Sequence, residues 1–329
     1  MKRAQSKQAI QEIRSALLLM LNDAEFHSGE DLADAFSLSR SAISNHIKAL
    51  CELGIEIYSV KGRGYKLSFP IDLLNASLIA QYLPATKHHL LQVENLVTST
   101  NDLVKQLQPS TEKGHIILAE AQSAGRGRRG RTWVSPFGSS LYMSMLWRFE
   151  QGYQAMSGLS LMIGVVLNNT LQQMGVKGCQ LKWPNDVYFE GKKLAGILIE
   201  VEGQAGSSTS AIIGVGLNVN LPNDVSGIDQ AFTDLSHISV KKLSRNELAA
   251  RFIENLWKAL PQFEAQGLHP FLNDWQTSDL FFNKPIKLLM GNKSVQGISK
   301  GIDASGALLL ESAGTVTAYH GGEISVRSV

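Results

Sequence analysis

The chain has 329 residues, more than one ordinary domain, and 44% of them are hydrophobic, enough for packed cores. No run approaches the roughly 18 consecutive apolar residues of a membrane span, and Gln11, Glu12 and Arg14 interrupt the N-terminal segment before it takes signal-peptide form, so a cytoplasmic protein with no membrane partner is expected. A formal charge of +2 excludes a broadly basic protein, and any contact with nucleic acid must come from local placement of charge.

Cys51 and Cys179 lie far apart with no partnering His or Cys motif and read as reduced, buried thiols; no metal held by protein ligands alone is expected. Residues Ala9 to Leu21 have helical period, with Ile10, Ile13, Leu17 and Met20 on one face. Ser28 to Asp31 resembles a helix start that ends near Phe36, and Ser39 can cap a third helix running to about Leu53, where Gly54 stops it. That third helix divides by face. Ile43, Ile47 and Leu50 should face a core. Arg40, Ser41, Ser44, Asn45 and Lys48 form a small hydrogen-bonding face suited to base edges and phosphates, with Ser39 beside it. Two β-rich runs flank Lys61-Gly62-Arg63-Gly64, which makes a basic hairpin turn and hence a winged helix-turn-helix over residues 1–70. Those residues carry nine Lys and Arg against eight Asp and Glu, a net charge of only +1.

Pro70 to Pro84 reads as a linker with a short helix at Leu73 to Ala76, and a second domain begins near His88. Ser99-Thr100-Asn101 precedes a helical stretch, where such residues are favoured caps. Ser157 to Met174 is an apolar helix that Gly175 ends. Strands then alternate with tight turns from Gln180 to Asn220, which argues for a largely antiparallel sheet with helices to one side. Ser244 to Glu247 is a capping box opening a helix with Leu248, Phe252, Leu256 and Phe263 on its inner face, and Trp257 is a core residue. From Asn283 onward, short strands separated by glycines read as a small β domain.

Between the first strand, His115 to Ala119, and the next, Leu141 to Phe149, lies Gly125-Arg126-Gly127-Arg128-Arg129-Gly130-Arg131-Thr132-Trp133. Glycine lets backbone approach a ligand closely, and arginine supplies fixed forks of donors for carboxylate and phosphate. The stretch reads as a mobile loop that closes on an anion. Its G-x-G-x-x-G spacing mimics a dinucleotide fingerprint, but that motif needs a helix at its end, and a strand follows here.

This loop, followed by Ser135-Pro136 and Gly138, resembles the biotin-binding loop of biotin protein ligases. Lys182-Trp183-Pro184-Asn185-Asp186 and Lys193-Leu194-Ala195-Gly196-Ile197-Leu198 resemble two further motifs of that family, in the same order. With the winged helix, nearly the whole chain resembles the bifunctional biotin ligases and biotin-operon repressors (BirA type). The resemblance implies an α+β multidomain protein: a winged helix-turn-helix at 1–70, a class II synthetase-like catalytic domain of mixed sheet and helices at 71–276, and an SH3-like β-barrel at 277–329.

The implied chemistry makes biotinyl-5′-AMP from biotin and ATP with Mg²⁺, then transfers biotin to an acceptor lysine of biotin carboxyl carrier protein. The adenylate also acts as corepressor on operator DNA, through a homodimer pairing at the strand Gly196 to Val201. By family position Lys193 reaches the carboxylate and α-phosphate, while Arg126 and Arg128 cover the phosphate and exclude water. Ser99, Thr100, Asn101, Gln122, Gly127, Arg126, Arg128 and Lys193 surround biotin. Arg128, Arg131, Trp133, Lys182, Asn185, Asp186 and Phe232 face the nucleotide, with Asp186 open between orienting the acceptor lysine and holding Mg²⁺. Phe232 stands where close relatives carry a tryptophan. Ser39, Arg40, Ser41, Ser44, Asn45, Lys48, Lys61 and Arg63 would meet DNA. Two other readings stay in view: a lipoate ligase, whose R-R-x-x-G-G loop is not present here, and a regulator that senses a ligand without ligase activity.

Overall fold

A computed structural model describes residues 2–203, 208–321 and 324–329, with the side chains of residues 2–8, 11 and 109 left out. Met1, at the head of the segment read for a signal peptide, lies outside the described residues.

The N-terminal unit is built of α1 (Lys2–Leu21), α2 (Gly29–Phe36), α3 (Arg40–Cys51) and the hairpin β1 (Ile57–Val60) and β2 (Gly64–Leu67). Both expected caps form: Ser28 accepts the Asp31 N–H and Ser39 the Ala42 N–H. Each satisfies a backbone donor that the first helical turn leaves unpaired. The core joins Leu17, Leu18 and Leu21 of α1 to Leu32, Ile43, Ile47, Leu50 and Leu67. Ile10 departs from the expected buried face and is 40% exposed, because the core stops a turn short of it. Cys51 is also exposed, contrary to expectation, since the final turn of α3 points it away from that core, whereas Cys179 is buried.

The expected helix at Leu73 to Ala76 forms later, as α4 (Ala76–Ala80), because Asn75 takes the cap position and accepts from the Ser77 and Leu78 amides. The residues before it are fastened. Asn22 bonds the Ile71 backbone through both amide atoms, and Ile71 and Phe137 pack on the winged-helix core. On the other side Arg245 Nη1 donates to Asp72 O and to Glu120 Oε2, each at 2.8 Å, and the Leu74 N–H donates to Glu120. Arg245 and Glu120 are only 2% and 1% exposed, so removing either partner would leave an unpaired charge in the interior.

The central sheet comprises β3 (Leu91–Val97), β4 (Ile116–Gln122), β5 (Ser140–Phe149), β6 (Gln180–Lys182), β7 (Asp186–Phe189), β8 (Lys192–Glu202) and β9 (Thr209–Asn218). Its order is β3-β4-β5-β9-β8-β7-β6, with β3 and β4 parallel and the other pairs antiparallel. Of the helices that accompany it, α5 (Thr100–Leu107) follows β3, and α6 (Leu159–Gln173), α7 (Leu235–Ile238), α8 (Arg245–Gln266) and α9 (Leu272–Ser278) come after β5. The interior of α6 is apolar nearly all round and packs between the sheet and α8, whose Leu248, Phe252, Leu256 and Phe263 are buried as their spacing predicts. Trp257 is likewise core, donating to Gly114 O.

Five antiparallel strands complete the chain: β10 (Pro285–Met290), β11 (Lys293–Ile302), β12 (Leu308–Ser312), β13 (Thr315–Tyr319) and β14 (Ile324–Ser328), in the order β13-β12-β11-β10-β14. This unit shares the central core through Ile286, Leu288, Leu308 and Val326. Trp183 ties the two together by donating to Gly306 O at 3.0 Å. No helix among the described residues is long and apolar enough to cross a membrane.

Candidate functional site

The arginine-glycine stretch folds as a short hairpin. Its backbone closes through Gly127 N–H to Arg131 O (2.7 Å) and Trp133 N–H to Gly125 O (2.9 Å), with an Arg126–Thr132 bridge between them. Arg129 and Gly130 turn the tip at positive φ (60° and 71°). No helix follows, as the missing dinucleotide context required.

This hairpin roofs a cavity of about 340 Å³. Every residue expected to meet biotin or nucleotide lines it. The floor is sheet, where Gly196, Gly214 and Gly216 stand instead of bulkier residues. A Cβ on Gly216 would run into the Trp133 indole, and one on Gly214 into the Asn101 amide, so these glycines admit the side chains that face them.

One end is built on the start of α5. Ser99 takes the N-cap position without a side-chain cap bond, and Thr100 and Asn101 are buried beside it. The Thr100 N–H donates to Gln122 Oε1 at 3.0 Å, and Gln122 Nε2 donates to Ser135 Oγ at 2.9 Å, which orients the Gln122 amide. Asn101 Nδ2 donates to Glu200 Oε2 at 2.7 Å. Arg126 reaches Asp102 and Glu200 on this side.

The other end is cationic. Lys182 is buried, its Nζ 4.5 Å from the Tyr188 ring centre and 3.1 Å from the Tyr188 hydroxyl. Burial pulls the Lys182 pKa down to about 8, Asp186 working against this and Arg327, Lys193 and Arg131 adding to it. Burial also pushes the Tyr188 hydroxyl up to about 12. Lys193 Nζ lies 2.8 Å from Asp186 Oδ1, an ion pair without hydrogen-bond alignment, so charge holds it rather than a directional bond. It also stands 5.4 Å from the Trp133 ring centre. Arg128 Nη1 donates to Asn185 Oδ1 at 3.0 Å, and burial draws its pKa down. Asn185 is itself locked to Ile197 through its amide and backbone. Phe232 runs alongside Lys193 in a parallel bridge. Arg131 joins the lining, as does Arg327 from β14.

Sequence reasoning missed the residues that hold this site from outside its motifs. Glu200 was recoverable, since Gly196, Leu198 and Glu200 alternate onto one face of β8. Asp102, Tyr188, Ser325 and Arg327 carried no local signal. Ser325 accepts from Arg129 Nη1 at 2.9 Å and so joins the hairpin tip to the C-terminal unit.

The DNA-facing candidates gather on the winged helix, far from this cavity in sequence. Arg40, Ser41, Ser44, Asn45 and Lys48 are all exposed on α3, opposite buried Ile43, Ile47 and Leu50. Ser39 is engaged as the cap and touches Ser41 Oγ at 2.9 Å. Lys61 is exposed at the wing tip, while the Arg63 guanidinium lies 4.2 Å over the Phe26 ring.

Comparison with known proteins agrees with this architecture. Residues 13–66 match an HTH domain, 93–218 the Biotin/lipoate A/B protein ligase family, and 281–327 the Biotin protein ligase C terminal domain. The chain is 44% identical over 313 residues to the bifunctional ligase/repressor BirA of Escherichia coli (strain K12), covering 95% of this chain and 96% of that one. The chain belongs to the bifunctional ligase/repressor BirA family. A Bacillus subtilis member is 30% identical, with 91% of this chain and 94% of that one covered. Among solved structures, the biotin protein ligase from Aquifex aeolicus in complex with biotin and ATP superposes with a TM-score of 0.65 at 28% identity, covering 73% of this chain and 99% of that one.

Proposed function

We propose that the protein joins biotin to an acceptor lysine at the expense of ATP and represses transcription when its adenylate intermediate accumulates. The carrying observation is one cavity in which an amide-lined end on α5 meets a cationic end built from Lys182, Lys193, Arg128, Arg131 and Arg327. A carboxylate oxygen of biotin attacks the α-phosphorus of ATP, the bond to the β-phosphate breaks, and pyrophosphate leaves. Both reactants are anions, so the step needs positive charge in fixed positions more than a proton acceptor. Lys193 is the group for the carboxylate and α-phosphate, because its ion pair with Asp186 can yield to a ligand without breaking a directional bond. Lys182, Arg131 and Arg327 suit the departing pyrophosphate, with Mg²⁺ arriving as the counterion of ATP. Ser99, Thr100, Asn101 and Gln122 suit the ring system of biotin, and Trp133 with Phe232 the adenine. In the second step the acceptor ε-amine attacks the acyl carbon and AMP leaves; the roofing hairpin keeps water from the mixed anhydride in between.

The acceptor is the biotin carboxyl carrier protein, the compartment is the cytoplasm, and the units are 1–70, 71–276 and 277–329. Repression runs through a homodimer on operator DNA. A winged helix of net charge +1 has little nonspecific affinity, and two copies double its contacts and impose half-site spacing. The edge of β8 supports that dimer: β9 pairs with it to Glu202, whereas β7 stops at Gly196, leaving 198–202 with no second neighbour among the described residues. The adenylate favours the dimer only by its differential affinity for the two states.

The decisive experiment measures pyrophosphate release with biotin and ATP, then transfer of labelled biotin to an acceptor peptide. Absence of both leaves a sensing regulator. Sedimentation with biotin and ATP, paired with operator binding, tests the repressor. A protein that stays monomeric, or binds operator equally well without adenylate, removes that half.

A further inference from the structure

Arg126 is held by carboxylates from two different elements. Its Nη1 lies 2.7 Å from Asp102 Oδ1, in the first turn of α5, and its Nη2 lies 2.9 Å and 3.2 Å from the two oxygens of Glu200, on β8. One side chain therefore spans the hairpin, a helix and the sheet. Two carboxylates around one guanidinium leave a local charge of −1, which offers no net attraction to an incoming carboxylate or phosphate. Glu200 does a second thing: it accepts from Asn101 Nδ2 and keeps that amide in the space Gly214 leaves for it. The roof and one wall of the cavity thus converge on a single carboxylate that does not itself line it.

We propose that Glu200, with Asp102, is a positioning residue that holds the arginine hairpin closed, and that Arg126 is the pin it grips rather than a cation for the phosphate. The proposal rests on the ligase reading above and refines it, leaving the phosphate to Arg128 and the lysines. Charge-assisted contacts from the two terminal nitrogens of one planar guanidinium to two separate carboxylates are directional, so they set the hairpin's place as well as its stability. Glu200 and Arg126 are about a third exposed, which makes substitution tolerable to the fold. The competing view is that this is one more partly solvated ion-pair cluster of little consequence.

The test compares the parent with Glu200→Gln and Asp102→Asn. Glutamine keeps the size and an acceptor for Asn101 but removes the charge. In the ligand-free protein, amide hydrogen exchange over residues 125–132 should accelerate about fivefold or more in Glu200→Gln, with exchange in α8 unaltered. Equal exchange in parent and variant overturns the proposal. With biotin and ATP, the KM for biotin and the rate of adenylate escape should rise about tenfold, while kcat for adenylate synthesis changes little. A fall in kcat at constant KM overturns it too, since that marks a direct part in the chemistry. Combining Glu200→Gln with Arg126→Met should add nothing to Arg126→Met alone, which already frees both carboxylates, and additive effects would separate the two residues. A parent that forms no adenylate defeats the ligase reading, and the exchange measurement still decides the pin.

Discussion

The recognition helix α3 and the arginine hairpin are both short, polar and rich in donors, yet they dispose of those donors in opposite ways. On α3 the side chains of Arg40, Ser41, Ser44, Asn45 and Lys48 face solvent, and the hydrogen bonds of Ser39, to the Ala42 amide and Ser41, serve the helix itself. In the hairpin, Arg126, Arg128 and Arg129 are each bonded to a different element: Glu200 on β8, Asn185 before β7, and Ser325 on β14. A surface that reads a long polymer gains by leaving its groups free, because many weak contacts accumulate along the partner. A site that must stabilise a brief charge distribution gains by fixing its groups beforehand, since little reorganisation is then needed at the moment of reaction. Substitutions should separate the two strategies, sharply in the hairpin's neighbourhood and gradually on the helix.

The largest effect is expected at Lys193. Lys193→Ala should lower the rate of adenylate synthesis by about 10²–10³, the scale of one lost electrostatic donor, with a much smaller loss of biotin affinity. Isothermal titration with biotin beside a pyrophosphate-release assay checks this, and equal losses in both would make Lys193 an anchor only. On the DNA side, Asn45→Ala should cost about 1–3 kcal/mol of operator binding and relax preference at one base pair, with ligase turnover intact. Mobility shifts against a set of single-base operator variants would show it, and a uniform loss across all variants would assign Asn45 to the backbone. Next in size, Arg128→Gly should let adenylate escape about tenfold faster, because a roof with one fewer tie opens more often. The signature is acylation of bystander lysines in a mixed-protein reaction, and a parent-like release rate would defeat the roof.

The smallest effect is a pH dependence. Burial holds Lys182 at about 8 in the folded protein, below the ordinary lysine value near 10.4. Between those values the unfolded chain binds the extra proton, so this residue's contribution to stability improves as pH rises through that window and is constant below it. Function runs the other way. Deprotonation above about pH 8 removes a charge from the nucleotide end, so the KM for ATP should climb severalfold by pH 9. Lys182→Arg should flatten that rise, and a profile unchanged by the substitution would exclude Lys182 as its source.

Much of this architecture was legible from residue spacing. The caps at Ser28, Ser39 and Ser244 announce themselves because a hydroxyl and its backbone target lie three residues apart, and the inner face of α8 because its apolar residues repeat with the helical turn. What failed was set by competition or distance. Asn75 outbid the expected start of the short helix near Leu73, and the limited width of a small core left Ile10 and Cys51 in solvent. The three site motifs stood out because glycine, arginine and lysine cluster within a few positions. Their supports did not, since Glu200 lies 74 residues from Arg126 and Ser325 lies 196 from Arg129 in sequence, beyond the reach of any local pattern.

The part that β14 plays in the cavity has a consequence for how the protein comes into being. The helices and strands of the winged helix end at Leu67, whereas Ser325 and Arg327 emerge roughly 260 residues later. At a synthesis rate of about 5–20 residues per second, the DNA-reading unit can fold some 13–50 s before the cavity has all its walls. Each growing chain thus passes through an interval in which it can present a recognition helix but cannot yet fully enclose a nucleotide. On the repression scheme proposed above, nascent chains in that interval leave the operator free, and translation itself delays the moment at which a new molecule can join in repression.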